Sequence, residues 1–304
     1  MKIKLPLWIY SVILSAMVVL GLTISIVHAG LSADGTKIVF DSNSDLLREC
    51  ILNNQSEIWL YDTTGMTYTH IISNSGSPSL NADGTKIAFQ SSTDFLNQGS
   101  PGTSSEIWLY DTTTLTYTRI TTASNPDRGS TSPHLSADGT RIIFTSDSDF
   151  FNQGIQNDQY EVWLYDTTTL TYTRISTSSG TERNSAAADL SADGAKIVFV
   201  SNSDFLNQGI DIKQSEVWLY DTVTTVLTRV TTSTGNSGIR ESFGPYLSAD
   251  GTKITFSSDA DFLNEGIEDE QFEIWMYNLE TMDLTQITRS LDNPCTLYLP
   301  LILK

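Results

Sequence analysis

Short apolar runs separated by polar turns follow one order along this chain, and the order recurs five times. Each unit starts with a Leu-Ser/Asn-Ala-Asp-Gly turn, at Leu31, Leu80, Leu135, Leu190 and Leu247, spaced 49, 55, 55 and 57 residues apart. A Lys/Arg-Ile-x-Phe run follows, as at Lys86 to Phe89. A Glu-Ile/Val-Trp-Leu/Met-Tyr run comes next, opening at Glu57, Glu106, Glu161, Glu216 and Glu273. The unit ends on a piece such as Thr116-Tyr-Thr-Arg-Ile120. A fixed period of this kind marks one repeat architecture rather than two unlike domains.

Each unit predicts four short strands. Strand A is the x-Pro-x-Leu piece, strand B the Lys-Ile-x-Phe piece, strand C the tryptophan piece and strand D the Tyr-Thr-Arg-Ile-Thr piece. β-branched and aromatic residues fill them, with Gly, Asp, Asn and Ser between. Asp-Gly between A and B is a hairpin signal, because glycine takes the positive φ a tight turn needs. Strand C is apolar on both faces, as a sheet covered on both sides requires. One tryptophan per unit (Trp59, Trp108, Trp163, Trp218, Trp275) suits the space between stacked sheets. The expected fold is all-β: a five-bladed β-propeller of four-stranded antiparallel blades. The repeats run over about 31–76, 77–130, 131–185, 186–242 and 243–290.

The L-S-x-D-G-x-x-I-x-F turn and strand, followed by the x-[IV]-W-x-Y-D strand, resembles the TolB-type propeller repeat over residues 31 to about 289. The resemblance implies a propeller that binds partners, often outside the cytoplasm or in the bacterial periplasm. The same repeat also occurs as a non-catalytic domain beside peptidases. This chain departs from it in its long B–C loops, which carry Asp-Phe-Leu-Asn-Gln-Gly.

Residues 1–29 stand outside the repeat. Lys2 and Lys4 precede an apolar run from Leu5 to Val27, and Val27-His28-Ala29 fits a signal-peptidase site. The expectation is a secretory signal cut after Ala29, with an uncleaved membrane anchor as the alternative. The propeller then occupies 30–304, outside the cell or in the periplasm or envelope. Formal charge is −19, and losing Lys2 and Lys4 would make it −21. Such acidity repels phosphate backbones and argues against nucleic acid as a partner. The two cysteines, Cys50 and Cys295, fall on one face of the expected disc and predict a disulfide. With it, the tail 291–304, whose Leu299-Pro300-Leu301-Ile302 repeats the strand-A pattern, is expected to complete blade one as its innermost strand. Closing so long a loop is worth roughly 5 kcal/mol in the chain-entropy model. The rival reading of the tail is a sorting or attachment tag.

The chemistry-bearing residues are few. Acids recur in every B–C loop, and Asp147, Asp149 and Asp158 form the best set for a hard cation such as calcium. Their spacing departs from the helix–loop–helix calcium loop, and turn formation by Asp is the reading preferred here. No cofactor is otherwise expected. The chain has no G-x-S-x-G and no H-E-x-x-H. His134, in strand A, is placed to face the central channel. Arg128, Arg183 and Arg240, in the D–A connections, are placed to grip an acidic group on a partner. These observations favour a monomeric, non-catalytic binding or scaffold propeller for a protein or polysaccharide, contacted by the face of B–C and D–A loops. The alternatives are a carbohydrate-active hydrolase or lyase using the channel, and a structural cell-surface protein.

Overall fold

The computed structural model describes residues 26–44, 46, 55–97, 104–123, 125, 127–156, 158–178, 182–233, 240–264, 267 and 271–289. They form twenty strands. Blade one is β1 (Ile26–Leu31), β2 (Lys37–Ser42), β3 (Glu57–Asp62) and β4 (Thr67–Ser73). Blade two is β5 (Ser75–Leu80), β6 (Lys86–Ser91), β7 (Glu106–Asp111) and β8 (Thr116–Arg119). Blade three is β9 (Ser130–Leu135), β10 (Arg141–Ser146), β11 (Glu161–Asp166) and β12 (Thr171–Arg174). Blade four is β13 (Ser185–Leu190), β14 (Lys196–Ser201), β15 (Glu216–Asp221) and β16 (Val226–Arg229). Blade five is β17 (Ser242–Leu247), β18 (Lys253–Ser258), β19 (Glu273–Asn278) and β20 (Leu284–Gln286). Every sheet is antiparallel with its strands in chain order. The chain is thus a five-bladed, all-β propeller, and the described residues hold no helix long and apolar enough to cross a membrane.

The registers show why the repeat reads as it does. Strand B phenylalanine sits opposite strand C tryptophan in every blade: Phe40 with Trp59, Phe89 with Trp108, Phe144 with Trp163, Phe199 with Trp218 and Phe256 with Trp275. All five tryptophans are buried. Apolar clusters join blades one and two, two and three, three and four, and four and five. In the second of these, Ile107 and Ile120 of blade two meet Leu135, Phe144 and Trp163 of blade three. Burying one such side chain stabilises by about 1.5–3 kcal/mol. Among the described residues no comparable cluster joins blade five to blade one.

Two turns make each blade. In the A–B turn of blade three, Gly139 has φ 68°, and a Cβ there would meet Lys86 Cδ at 2.8 Å. Asp138 accepts from the Ser136 hydroxyl and from the Thr140 amide and hydroxyl. In the C–D turns, Asp111 and Asp166 each accept a threonine hydroxyl and two backbone amides. Four turn aspartates are held down to about 2. For Asp111 and Asp166 the largest cause is the hydroxyl of Thr113 or Thr168. For Asp34 it is the Thr36 amide, and for Asp250 the Ser248 hydroxyl. These groups are more acidic folded than unfolded. Their stabilisation is therefore full above the unfolded value of 3.8 and is lost as pH falls through about 2. The melting temperature should drop across that interval; a flat melting temperature there would contradict the assignment.

Strand D is shorter than expected. It stops at Arg119 in blade two because Thr121 turns inward, where its hydroxyl accepts from Ile107 N and donates to Glu106. Strand A of blade one is longer than expected. It runs back from Leu31 to Ile26, pairing Ala29 with Phe40 and Gly30 with Val39, so it spans the expected cleavage point. The place expected for the tail in blade one is therefore held by β1. Cys50, Cys295 and the tail 291–304 lie outside the described residues.

Candidate functional site

The five inner strands, β1, β5, β9, β13 and β17, surround a cavity of about 570 Å³. Each inner strand carries a bulge just before its repeated pattern ends. The residue before the proline place has positive φ at Ser77, Ser132, Ala187 and Gly244, and strand pairing shifts register there. The bulge re-aims the next variable position. That position, opposite the middle of strand B, is Gly30, Ser79, His134, Asp189 and Tyr246 in blades one to five. All five line the cavity.

At this ring of equivalent places five unlike residues face a common space. Two of them also tie neighbouring blades. Ser79 Oγ accepts from Leu135 N at 3.0 Å, and Asp189 Oδ2 accepts from Leu247 N at 2.8 Å. Asp189 Oδ1 lies 3.6 Å from His134 Nδ1. Burial pushes the His134 pKa below its ordinary value; Asp189 opposes this and His28 adds to it. His28 reaches the same cavity, with its N–H donating to Asp41 Oδ1 at 2.7 Å. Tyr246 is exposed to the cavity. The lining thus offers an imidazole and a carboxylate 3.6 Å apart, a phenol and small or proline surfaces.

The other expected site residues lie elsewhere. Arg128, Arg183 and Arg240, expected to grip an acidic group on a partner, each donate to carbonyl oxygens of the B–C loop that follows in the chain. Arg128 donates to Asp147 O at 2.6 Å and Ile155 O at 2.8 Å. Arg183 donates to Asn202 O and to Ile210 O. Arg240, itself buried, donates to Asp259 O and Ile267 O. A guanidinium fork suits two carbonyls, and these bonds hold each D–A connection against its B–C loop.

The loop acids bind backbone. Asp147 Oδ1 accepts from Gly129 N at 2.8 Å, and Oδ2 accepts from Asp158 N at 3.3 Å. Asp149 accepts from the amides of Gln153, Gly154 and Ile155. Burial raises the Asp149 pKa, but those amides outweigh it and hold the carboxyl below its ordinary value. Asp204 repeats the arrangement in blade four. Among the described residues, no group of three or more His, Cys, Asp or Glu side chains is placed to hold a metal ion. The loop aromatic meets the strand C tryptophan edge-on, as Phe150 does Trp163 at 5.0 Å.

The strand C glutamates are buried. Glu216 Oε1 accepts from Arg229 at 2.6 Å, Gln214 at 2.6 Å and Ser233 N at 2.9 Å, while Oε2 accepts from Thr231 and Ser233 hydroxyls. Glu161 is held the same way by Arg174, Gln159, Ser176 and Ser178. Glu106 has its pKa pushed up by burial, against the Thr121 and Ala123 hydrogen bonds. Sequence reading counted these glutamates among the recurrent acids without finding this role. The signal was there, in the Thr/Ser placed 15 residues after the Glu in blades two to five, as from Glu106 to Thr121 and from Glu161 to Ser176, and 16 after Glu57 at Ser73.

No family model matches the chain, and no curated protein matches it. Solved structures do. TolB from Acinetobacter baumannii is similar at TM-score 0.54 and 22% identity, covering 86% of this chain and 53% of that one. The β-propeller domain of the Trilobed protease from Pyrococcus furiosus is similar at TM-score 0.55 and 15% identity, covering 87% and 71%. Oligogalacturonate lyase from Vibrio parahaemolyticus is similar at TM-score 0.53 and 10% identity, covering 86% and 65%. The chain spans about half the length of the TolB it matches. At these identities the likeness is one of fold.

Proposed function

With the propeller fold as premise, we propose that this chain is a non-catalytic binding module working outside the cytoplasm, and that its ligand enters the central channel. One observation carries the reading. The acids and arginines that recur from blade to blade are bonded into turns, loops and blade edges, whereas the unlike residues of the five repeats meet around the channel. Partners are recognised where repeats differ, on a scaffold made by what they share. The face bearing the B–C loops and D–A connections is the approach side, since these segments vary in length between blades. The extracellular or envelope location rests on the apolar run before β1 and on the TolB-like fold.

Capture from an envelope extract tests the channel. Immobilised chain should retain a ligand that His134→Ala with Tyr246→Ala loses. Equal retention by both would remove the channel from the account.

A second reading, a carbohydrate-active enzyme, is favoured by the His134 imidazole and Asp189 carboxylate standing 3.6 Å apart in the channel, and by the lyase among the fold's neighbours. Turnover of acidic or neutral polysaccharides by the purified chain, lost in His134→Ala, would put this reading first.

Loop acids that form turns have a further consequence. Titrating chelator-stripped protein with calcium should leave its melting temperature unchanged; a saturable rise that disappears in Asp147→Asn would make blade three's loop a cation site.

A further inference from the structure

Four blade-to-blade junctions share one set of contacts. The inner strand of each later blade lies against strands A, B and C of the blade before it. The turn alanine of each blade donates its N–H to the turn carbonyl of the next: Ala33 to Ala82, Ala82 to Ala137, Ala137 to Ala192 and Ala192 to Ala249, at 2.8–2.9 Å. The first residue of strand B crosses the same junctions, from Lys37 to Gly84 O, Lys86 to Gly139 O, Arg141 to Gly194 O and Lys196 to Gly251 O. Among the described residues neither series has a fifth member, from Ala249 or Lys253 back to blade one.

The fifth junction is under-buried on both its sides. On blade five, Ile274 is 41% exposed and Ile287 is 55% exposed; their equivalents in blade two, Ile107 and Ile120, are 0% and 4%. On blade one, Leu31 is 52% exposed, against 8% for Leu135 and Leu190 and 9% for Leu247. The repeat supplies its own control. The residue types match and the places match, so the difference lies in what stands alongside.

The chain outside the described residues has the means to cover these faces. Residues 297–303 are Leu-Tyr-Leu-Pro-Leu-Ile-Leu, an unbroken apolar run. Pro300 comes 14 residues after Gln286, as Pro133 comes 14 after Arg119. Gln286 and Arg119 occupy one register place, opposite Trp275 and Trp108. The tail thus leaves blade five with the spacing that delivers inner strand β9 from blade two. A second copy is the poorer occupant, because a chain of formal charge −19 repels its own kind.

We propose that residues 297–303 dock in the seam between blades five and one as an added inner strand, laid across strands A, B and C of blade five. β1 keeps its place in blade one. Ile302 takes the place that Leu135 holds at the second junction, which sets it beside Tyr246 as Leu135 is set beside Ser79. The tail then forms part of the channel wall and covers the apolar faces of Ile274 and Leu31.

Two measurements on the full chain decide it. In hydrogen exchange of the monomer, checked by light scattering, amides of residues 298–303 should exchange about a hundredfold more slowly than open chain. Open-chain rates, or protection found only in a dimer, overturn the proposal. In a Cys50→Ser, Cys295→Ser background, Tyr246→Cys with Ile302→Cys should oxidise to an intramolecular disulfide, because the equivalent pair is in contact, Leu135 N donating to Ser79 Oγ at 3.0 Å. Ile38→Cys with Ile302→Cys should not, because Leu31 is the residue opposite Ile38. An Ile38–Ile302 link would mean that the tail replaces β1, and it would also overturn the proposal.

Discussion

Replacing Trp163 by alanine will cost the fold about 3–5 kcal/mol, the range for emptying a large aromatic from a core. Trp163 is fully buried and belongs to the cluster that joins blades two and three. On one side it meets Phe150 from its own B–C loop; on the other it faces Ile107 and Ile120 of the blade before. Alanine would remove one of the two rings that Phe150 meets edge-to-face, leaving Phe144, and open space between two stacked sheets. Neither sheet can close on the other while the alanine turns and strand B cations hold the blade spacing. The melting temperature should fall by roughly 10 °C. A change within about 2 °C would mean that the blades do not stack through their tryptophans.

Removing Glu216 by Glu216→Ala has a comparable expected cost of about 3–5 kcal/mol, for a different reason. Its carboxylate is fully buried and gathers Arg229, Gln214, Thr231 and Ser233 onto strand C. Alanine strands the Arg229 guanidinium, 9% exposed, with its charge uncompensated. A paired change makes the cause visible. Glu216→Leu with Arg229→Met removes both charges and should cost less than Glu216→Ala alone. If the double variant is the less stable one, the carboxylate's worth lies in its serine and threonine partners rather than in the ion pair.

The strands and turns were legible in the sequence because their causes are local. The apolar Ile87-Ala-Phe89, Asp-Gly at the A–B turns and the apolar Ile107-Trp-Leu-Tyr110 each dictate their own backbone. The destinations of long side chains were less legible. Arg128 looks like an exposed loop charge until the fold brings Asp147 O and Ile155 O beneath it, 19 and 27 residues further on. Strand A of blade one was underestimated because its residues, Ile26 to Gly30, also read as the end of a secretory leader. Pairing with Val39 and Phe40 is a long-range fact that composition does not display. His134 could be placed at the channel by comparing repeats, and the same comparison points to Asp189 and Tyr246. What it could not show is that His134 and Asp189 stand within 3.6 Å, since that depends on the angle between two blades.

The central proposal divides repeated acids, which build the propeller, from unlike channel residues, which are proposed to meet a ligand. Measuring melting temperature and ligand capture together, on Glu216→Gln and on His134→Ala with Tyr246→Ala, tests it directly. The prediction is a lowered melting temperature with capture kept by the folded fraction of the first variant, and an unchanged melting temperature with capture lost in the second. Capture lost in the glutamate variant while the channel variant binds as well as the unmodified chain would contradict it.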